Sequence, residues 1–97
     1  MKRQELIQEK YLNFVKFIKN KYPDNKNIEQ IENLNIKLVI EYLKTSIYPL
    51  KHDFELLMLN VATQYNIDLN DFTIEEQNKL RKYIQFFIKQ IDEIYFE

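Results

Sequence analysis

The chain has 97 residues, of which 45% are hydrophobic and 30% are charged, and its formal net charge is −1. This length predicts a single domain over residues 1–97, and the composition is that of a soluble globular protein. The sequence contains no cysteine and no glycine, which excludes disulfide frameworks, thiol nucleophiles, phosphate-binding loops and dinucleotide fingerprints. A net charge this close to zero predicts no nucleic-acid partner. Isoleucine, lysine and asparagine are abundant and have AT-rich codons, so we also expect an AT-rich genome.

The first half of the chain carries two predicted helices. The first runs from about Arg3 to Lys21, and Pro23 ends it because proline has no N–H to donate. The second begins with Asn27 as its N-cap, and a break near residues 33–35 is an open alternative. Its apolar residues fall on two stripes, which predicts that this helix is the most buried. The β-branched stretch 36–43 also fits a strand, but no second strand is predicted to pair with it.

Two further helices fill the second half. The third is predicted from Pro49 to about Tyr65, because proline is favoured in the first turn of a helix. The fourth begins with a capping box, in which Thr73 and Glu76 exchange hydrogen bonds, and it runs almost to the C-terminus. The missing glycine disfavours a β-protein, so these elements predict an all-α, antiparallel four-helix bundle. Seven residues are predicted to share its core: Phe14, Ile18, Leu57, Val61, Ile84, Phe87 and Ile91.

Candidate catalytic and metal-binding residues are few. His52 is the only histidine, and its neighbour Asp53 points about 100° away on a helix, so the two do not form an acid–base pair. The acidic segment from Asn66 to Asp71 lacks the glycine and the final glutamate of a calcium-binding loop. We therefore predict that the protein is not an enzyme and that it needs neither a metal nor a cofactor.

The N-terminal segment is basic. Residues 1–26 carry seven cations and three anions, whereas the remainder of the chain is acidic. Charges near the N-terminus leave no apolar core for a signal peptide, which predicts a cytoplasmic protein. The cations either balance the acidic remainder of the fold or meet an anionic membrane surface. Three of them are candidates for such membrane contact: Lys10, Lys16 and Lys19.

The second half resembles the immunity proteins of pediocin-like (class IIa) bacteriocins. The shared features are a Tyr48-Pro49-Leu50 helix start, an Asn-Ile-Asp-Leu turn at residues 66–69, and a helix opening Thr-Ile-Glu-Glu-Gln at residues 73–77. The resemblance implies a cytosolic four-helix bundle that protects a bacteriocin-producing cell by engaging the membrane receptor after the toxin has bound. A helical interaction module, such as a viral or phage protein that modulates a host protein, is the alternative interpretation.

A partner face is predicted on the outer side of the fourth helix and its end. Aromatic residues that flank a core stripe can act as interface anchors, and this helix carries the most of them. Off-stripe aromatics such as Phe17 could instead belong to a broad core, and the bundle could be a monomer or a weak homodimer. The predicted contact residues are Tyr83, Phe86, Gln90, Tyr95 and Phe96.

Overall fold

The structure is a computed structural model, and it describes residues 3–24 and 35–95. Every regular element within these ranges is helical, so the predicted all-α class is confirmed. The α-helices are α1 (Arg3–Lys21), α2 (Ile36–Tyr42), α3 (Phe54–Tyr65) and α4 (Ile74–Tyr95). A π-helical turn (Leu43–Ile47) and a 3-10 turn (Tyr48–Leu50) follow α2, and a second 3-10 turn (Leu69–Asp71) precedes α4.

Helix α2 begins directly after Asn35. Asn35 is its N-cap, and the Asn35 side chain accepts a hydrogen bond of 3.0 Å from the backbone N–H of Leu38. This start agrees with the alternative of a break near residues 33–35, because asparagine caps a helix well. The predicted N-cap Asn27 lies outside the described residues.

The prediction that the second helix is the most buried is wrong for its described part. Val39, Leu43 and Ile47 are buried, but Leu38 on the other stripe is 51% exposed. Helix α1, by contrast, buries five residues. Leu38 therefore faces outward, whereas Tyr42, four residues later on the same stripe, packs against Tyr11 and Tyr65.

Pro49 ends the second helix rather than starting the third. It lies inside the 3-10 turn, directly after the π-helical turn. A proline ring clashes with the carbonyl of the residue four positions earlier and disfavours α-helical geometry at the residue before it. The backbone hydrogen bonds therefore change from the α-helical to the wider π-helical pattern before Pro49. Helix α3 begins later than predicted, at Phe54, where the side chain of Asp53 caps the N–H of Leu56 at 3.1 Å.

Phe14 lies at the centre of an aromatic core. Its ring centroid is 5.4 Å from that of Tyr65 and 5.7 Å from those of Tyr83 and Phe87, with Tyr11 at 6.1 Å. Edge-to-face and tilted pairs of this kind stabilise a core by more than the burial of their apolar area alone. All seven predicted core residues are buried in the same cluster, which confirms that prediction.

Two ion pairs show the relative direction of α1 and α4. Arg3, at the start of α1, pairs with Glu93 near the end of α4 at 3.2 Å. Lys21, at the end of α1, pairs with Glu76 in the first turn of α4 at 2.8 Å. These two helices therefore run in opposite directions along each other. Exposed ion pairs contribute little free energy individually, so aromatic packing rather than charge holds the two helices together.

The connection into α4 is tied back to the end of α1. The Tyr22 hydroxyl accepts a hydrogen bond from the backbone N–H of Asp68 at 3.0 Å and also contacts the Asp71 carboxylate. Asn66 adopts the left-handed conformation at φ 54, which ends α3. Ile67 is buried. The start of α4 is thereby held at a fixed position against α1.

The capping box of α4 is confirmed. The backbone N–H of Glu76 donates to Thr73 Oγ1 at 3.1 Å, and the backbone N–H of Thr73 donates to Glu76 Oε1 at 2.9 Å. The same Glu76 oxygen also accepts from Lys21 Nζ. Hydrogen bonds from Lys21 and from the Thr73 backbone lower the pKa of the Glu76 carboxyl below its usual 4.5. Glu76 thus remains ionised at the positive end of the helix, where an anion is favoured.

Replacing Thr73 by alanine tests the capping box. We expect Thr73→Ala to lower the free energy of unfolding by about 1 kcal/mol, because an N-cap hydroxyl satisfies a backbone N–H that otherwise has no partner. Urea unfolding followed by circular dichroism measures the change. Thr63 is the matched control, because its hydroxyl bonds only to the Leu59 carbonyl within α3. We expect Thr63→Ala to be neutral or slightly stabilising, and equal losses in both variants would contradict the capping role.

Candidate binding groove between the first and last helices

A groove of about 200 Å³ lies between α1 and α4. Lys10 of α1 forms one side of the groove, and residues of α4 form the other. The α4 residues that line it are Lys79, Lys82, Tyr83 and Phe86. The groove therefore combines two aromatic rings with three ammonium groups.

Helical spacing explains how α4 contributes four residues to the groove. Positions 79, 82, 83 and 86 are separated by three, one and three residues, which places them on one helical face. Leu80, Ile84 and Phe87 are buried in the core. The groove face thus lies beside the core stripe, so its residues are anchored at the base and accessible at the tip.

The two aromatic residues of the groove are fixed by the core. The Tyr83 ring lies 5.7 Å from that of Phe14 and 6.1 Å from that of Phe17. The Phe86 ring packs edge-on against Phe87 at 5.9 Å. Both residues are partly buried against the core, and the remainder of each side chain lines the groove. A ring held in this way offers contact area at little cost in conformational entropy.

The three lysines of the groove have no anionic partner among the described residues. Lys10 Nζ lies 5.6 Å from the centre of the Phe86 ring, and Lys79 Nζ lies 5.0 Å from that of Phe17. The ion pairs of the described chain involve other cations: Arg3, Lys21 and Lys51. Aromatic faces attract cations but do not neutralise them. The groove therefore carries a local positive charge on a chain whose overall charge is slightly negative.

The predicted contact residues divide into two groups. Tyr83 and Phe86, predicted as partner contacts, line the groove, and Lys10, predicted as a membrane contact, joins them. Gln90 is a correction: it is only 8% exposed and so does not lie on the outer face of the helix. It falls close to the core stripe, one residue before buried Ile91. Tyr95 is the last residue of α4, and its side chain and Phe96 lie outside the described part of the chain.

The three lysines predicted to contact a membrane do not share one face. Helix α1 is continuous from Arg3 to Lys21, and each residue advances about 100° around its axis. Lys10 and Lys19 are consequently about 180° apart on the same helix. A flat membrane surface that contacts Lys16 and Lys19 would leave Lys10 turned away. Membrane contact remains a prediction for Lys16 and Lys19, whereas Lys10 belongs to the groove.

Lys79 and Lys82 were missed by the sequence interpretation, although a signal for them was present. Both lie three or four residues from Tyr83 or Phe86, which is the spacing of neighbours on a helix face. The decisive pairing of Lys10 with Phe86 joins two helices far apart in sequence, and helical periodicity alone does not specify such a contact.

A polar cluster at the other end of α4 was also missed. The Tyr48 hydroxyl donates to Asp92 Oδ1 at 2.6 Å, and Lys51 Nζ donates to the Tyr48 oxygen at 2.6 Å. The hydrogen bond from Tyr48, with a smaller contribution from Lys51, lowers the pKa of the Asp92 carboxyl below its usual 3.8. This cluster joins the 3-10 turn to α4, so it has a structural explanation. His52, the histidine of the chain, is exposed.

Three tyrosine hydroxyls are placed within the core. Those of Tyr11 and Tyr65 are 2.9 Å apart and share a hydrogen bond. The Tyr42 hydroxyl is buried and has no hydrogen-bond partner among the described residues. Burial raises the pKa of Tyr42 to about 12 and raises the pKa of Tyr11 and Tyr65 as well. The three groups are therefore neutral, inaccessible and unsuited to acid–base chemistry near neutral pH.

No group of three histidine, cysteine, aspartate or glutamate residues in ranges 3–24 and 35–95 is placed to hold a metal ion. In the same ranges, no helix combines the length and the apolar character that crossing a bilayer requires.

Comparison of the chain with protein-family models, with curated proteins and with solved structures finds no match.

Proposed function

We propose that this chain is a non-catalytic binding protein that engages a protein partner through the groove between α1 and α4. The observation that carries the proposal is the set of three lysines that lie around the fixed rings of Tyr83 and Phe86 and that have no anionic partner within residues 3–24 and 35–95. Fixed aromatic residues and uncompensated charge at one place are features of protein interfaces. The chain would act by stoichiometric binding, without a cofactor.

The specific form of this proposal is a bacteriocin immunity protein of the pediocin-like type. Three features support it: the resemblance of the second half to that family, the all-α fold, and the antiparallel course of α1 and α4. We extend that course to an antiparallel bundle of four helices. In this role the chain would act in the cytoplasm and bind a membrane-receptor complex from the inner side of the membrane.

Expression in a strain sensitive to pediocin-like peptides tests the immunity proposal. We expect cells that produce the chain in the cytoplasm to survive at least one peptide of a panel at concentrations that kill cells with an empty vector. The same chain added to the medium should give no protection, because the proposed contact is intracellular. The measurement is the minimal inhibitory concentration of each peptide. Unchanged sensitivity across the whole panel would reject immunity and leave the general helical interaction module.

A further inference from the structure

We infer that the partner of the groove is an acidic protein segment that places one apolar or aromatic side chain between Tyr83 and Phe86 and carboxylates beside the three lysines. This inference rests on the proposed binding role of the groove and adds the chemistry of its occupant. Four observations carry it: the charge of the groove, its size, its shape and the larger recess elsewhere on the chain.

The charge of the groove selects an anionic occupant. Lys10, Lys79 and Lys82 converge on one recess, and no carboxylate of the described residues lies within ion-pair distance of them. Like charges that line one recess repel one another, and carboxylates from a partner would reduce this repulsion. Complementary charge of this kind also raises the association rate and excludes basic partners.

The size of the groove favours one side chain over a complete small ligand. Its volume is about 200 Å³, whereas sites that enclose a drug-sized molecule or a cofactor measure roughly 300–1,000 Å³. An apolar or aromatic side chain is a suitable occupant, because the rings of Tyr83 and Phe86 form the walls. Offset and edge-to-face contacts between aromatic rings are favourable. The flanking residues of the same segment would then lie within reach of the lysines.

The shape of the groove favours a peptide over a lipid surface. Lys10 lies over the ring of Phe86, which lines the recess, and Lys79 lies over the ring of Phe17. A lipid bilayer presents its anionic headgroups as a plane, and Lys16 and Lys19 of α1 point elsewhere. The groove therefore fits a narrow chain better than a flat anionic surface.

A second recess, larger than the groove, lacks this complementarity. It measures about 660 Å³ beside the end of α3, where Leu59, Ala62 and Ile67 contribute its apolar lining. Its only ionisable lining residue is Asp68, and it has no lysine or arginine. Nothing about this surface specifies an occupant, whereas the charge of the groove does.

Nuclear magnetic resonance with the full chain tests the inferred occupant. The probe is a short synthetic peptide in which one phenylalanine is flanked on both sides by glutamates. Control peptides replace either the glutamates by lysines or the phenylalanine by serine. We expect amide shifts centred on Lys79, Lys82 and Tyr83 with the acidic aromatic peptide and much smaller shifts with both controls. Binding should weaken as salt rises, because salt screens exposed charges.

Matched variants locate the contact. Lys79→Gln combined with Lys82→Gln should weaken peptide binding about three- to tenfold, because each exposed pair of opposite charges contributes modestly. Lys16→Gln combined with Lys37→Gln removes two lysines away from the groove and should leave binding unchanged. These glutamine substitutions keep the packed rings intact, whereas Tyr83→Ala would also disturb Phe14 and Phe17. Equal weakening by both pairs would overturn the inference, because it would show attraction to overall charge only.

The outcomes separate this inference from the immunity proposal. Binding of the acidic peptide in the groove without protection of cells would support the acidic occupant and reject immunity. Protection that depends on Lys79 and Lys82 without any binding of the peptide would overturn the acidic occupant alone. Binding of phosphatidylglycerol vesicles, lost in the Lys79→Gln, Lys82→Gln variant and unaccompanied by peptide binding, would assign the groove to membrane lipid and overturn the inference.

Discussion

Phe14→Ala is expected to lower the free energy of unfolding by about 3–5 kcal/mol, the range found when a large aromatic residue is removed from a core. Phe14 is 2% exposed, and its ring contacts four other aromatic rings. A domain of this size is stable by roughly 5–15 kcal/mol, so one substitution would remove much of the total. Urea unfolding followed by circular dichroism measures the loss.

The control for this prediction is a large apolar residue on the surface. Leu59 is 59% exposed, and we expect Leu59→Ala to change the free energy of unfolding by less than about 0.5 kcal/mol. A loss below about 1 kcal/mol for Phe14→Ala would contradict the placement of Phe14 at the centre of the core. The same result would also remove the support that Phe14 gives to Tyr83 in the groove.

Alkaline unfolding is the second large effect that we expect. Burial raises the pKa of Tyr42 from 10.0 to about 12, whereas the unfolded chain releases this proton near the ordinary value. The contribution of Tyr42 to the free energy of unfolding is therefore fully present below about pH 10. It is lost as the pH rises through the pKa of the folded state. Tyr42 alone accounts for a loss of about 3 kcal/mol by the end of that range, and burial of Tyr11 and Tyr65 adds to it.

Ultraviolet absorbance of tyrosinate and circular dichroism, recorded together, measure this transition. We expect the three buried tyrosines, of the seven in the chain, to ionise only as the helices unfold. The final part of the absorbance change should therefore coincide with the loss of the helical signal. Tyr42→Phe is the informative variant, because its hydroxyl has no hydrogen-bond partner among the described residues. It should leave stability at pH 7 unchanged or slightly higher and make the alkaline loss less steep. Full tyrosine ionisation in a chain that remains helical would contradict the buried cluster.

The sequence predicted the helices best where local signals agreed with each other. The Thr73–Glu76 capping box and the regular apolar spacing after it located the start of α4 correctly. Pro23 was likewise a correct sign that α1 ends near Lys21. These signals are local, since a cap or a helical period depends on residues within a few positions of one another.

The second helix was predicted less well, because two local signals conflicted there. Pro49 is suited both to the first turn of a helix and to the end of one. The structure selects the second role, with a π-helical turn before the proline and Asp53 capping the next helix. Similarly, two apolar stripes suggested burial on both sides, yet Leu38 is half exposed. Which stripe meets a neighbour depends on packing, which periodicity does not specify.

The candidate site was predicted in part for the same reason. Tyr83 and Phe86 were identified as aromatic residues beside a core stripe, and both line the groove. Gln90 was placed on the same face, but it is buried next to Ile91. A shift of one residue moves a side chain about 100° around the helix, so an interface predicted from periodicity includes such errors. The contribution of Lys10 required knowledge of how α1 packs against α4.

Protection of a sensitive strain by charge-reversed variants is the most direct test of the groove as the binding face. Lys79→Glu combined with Lys82→Glu would be compared with Lys37→Glu combined with Arg81→Glu, which reverses two exposed cations outside the groove, at equal intracellular amounts of each chain. We expect the groove variant to show the peptide sensitivity of cells with an empty vector, and the control variant to protect like the unaltered chain. Equal protection by both variants would contradict a binding role for this groove.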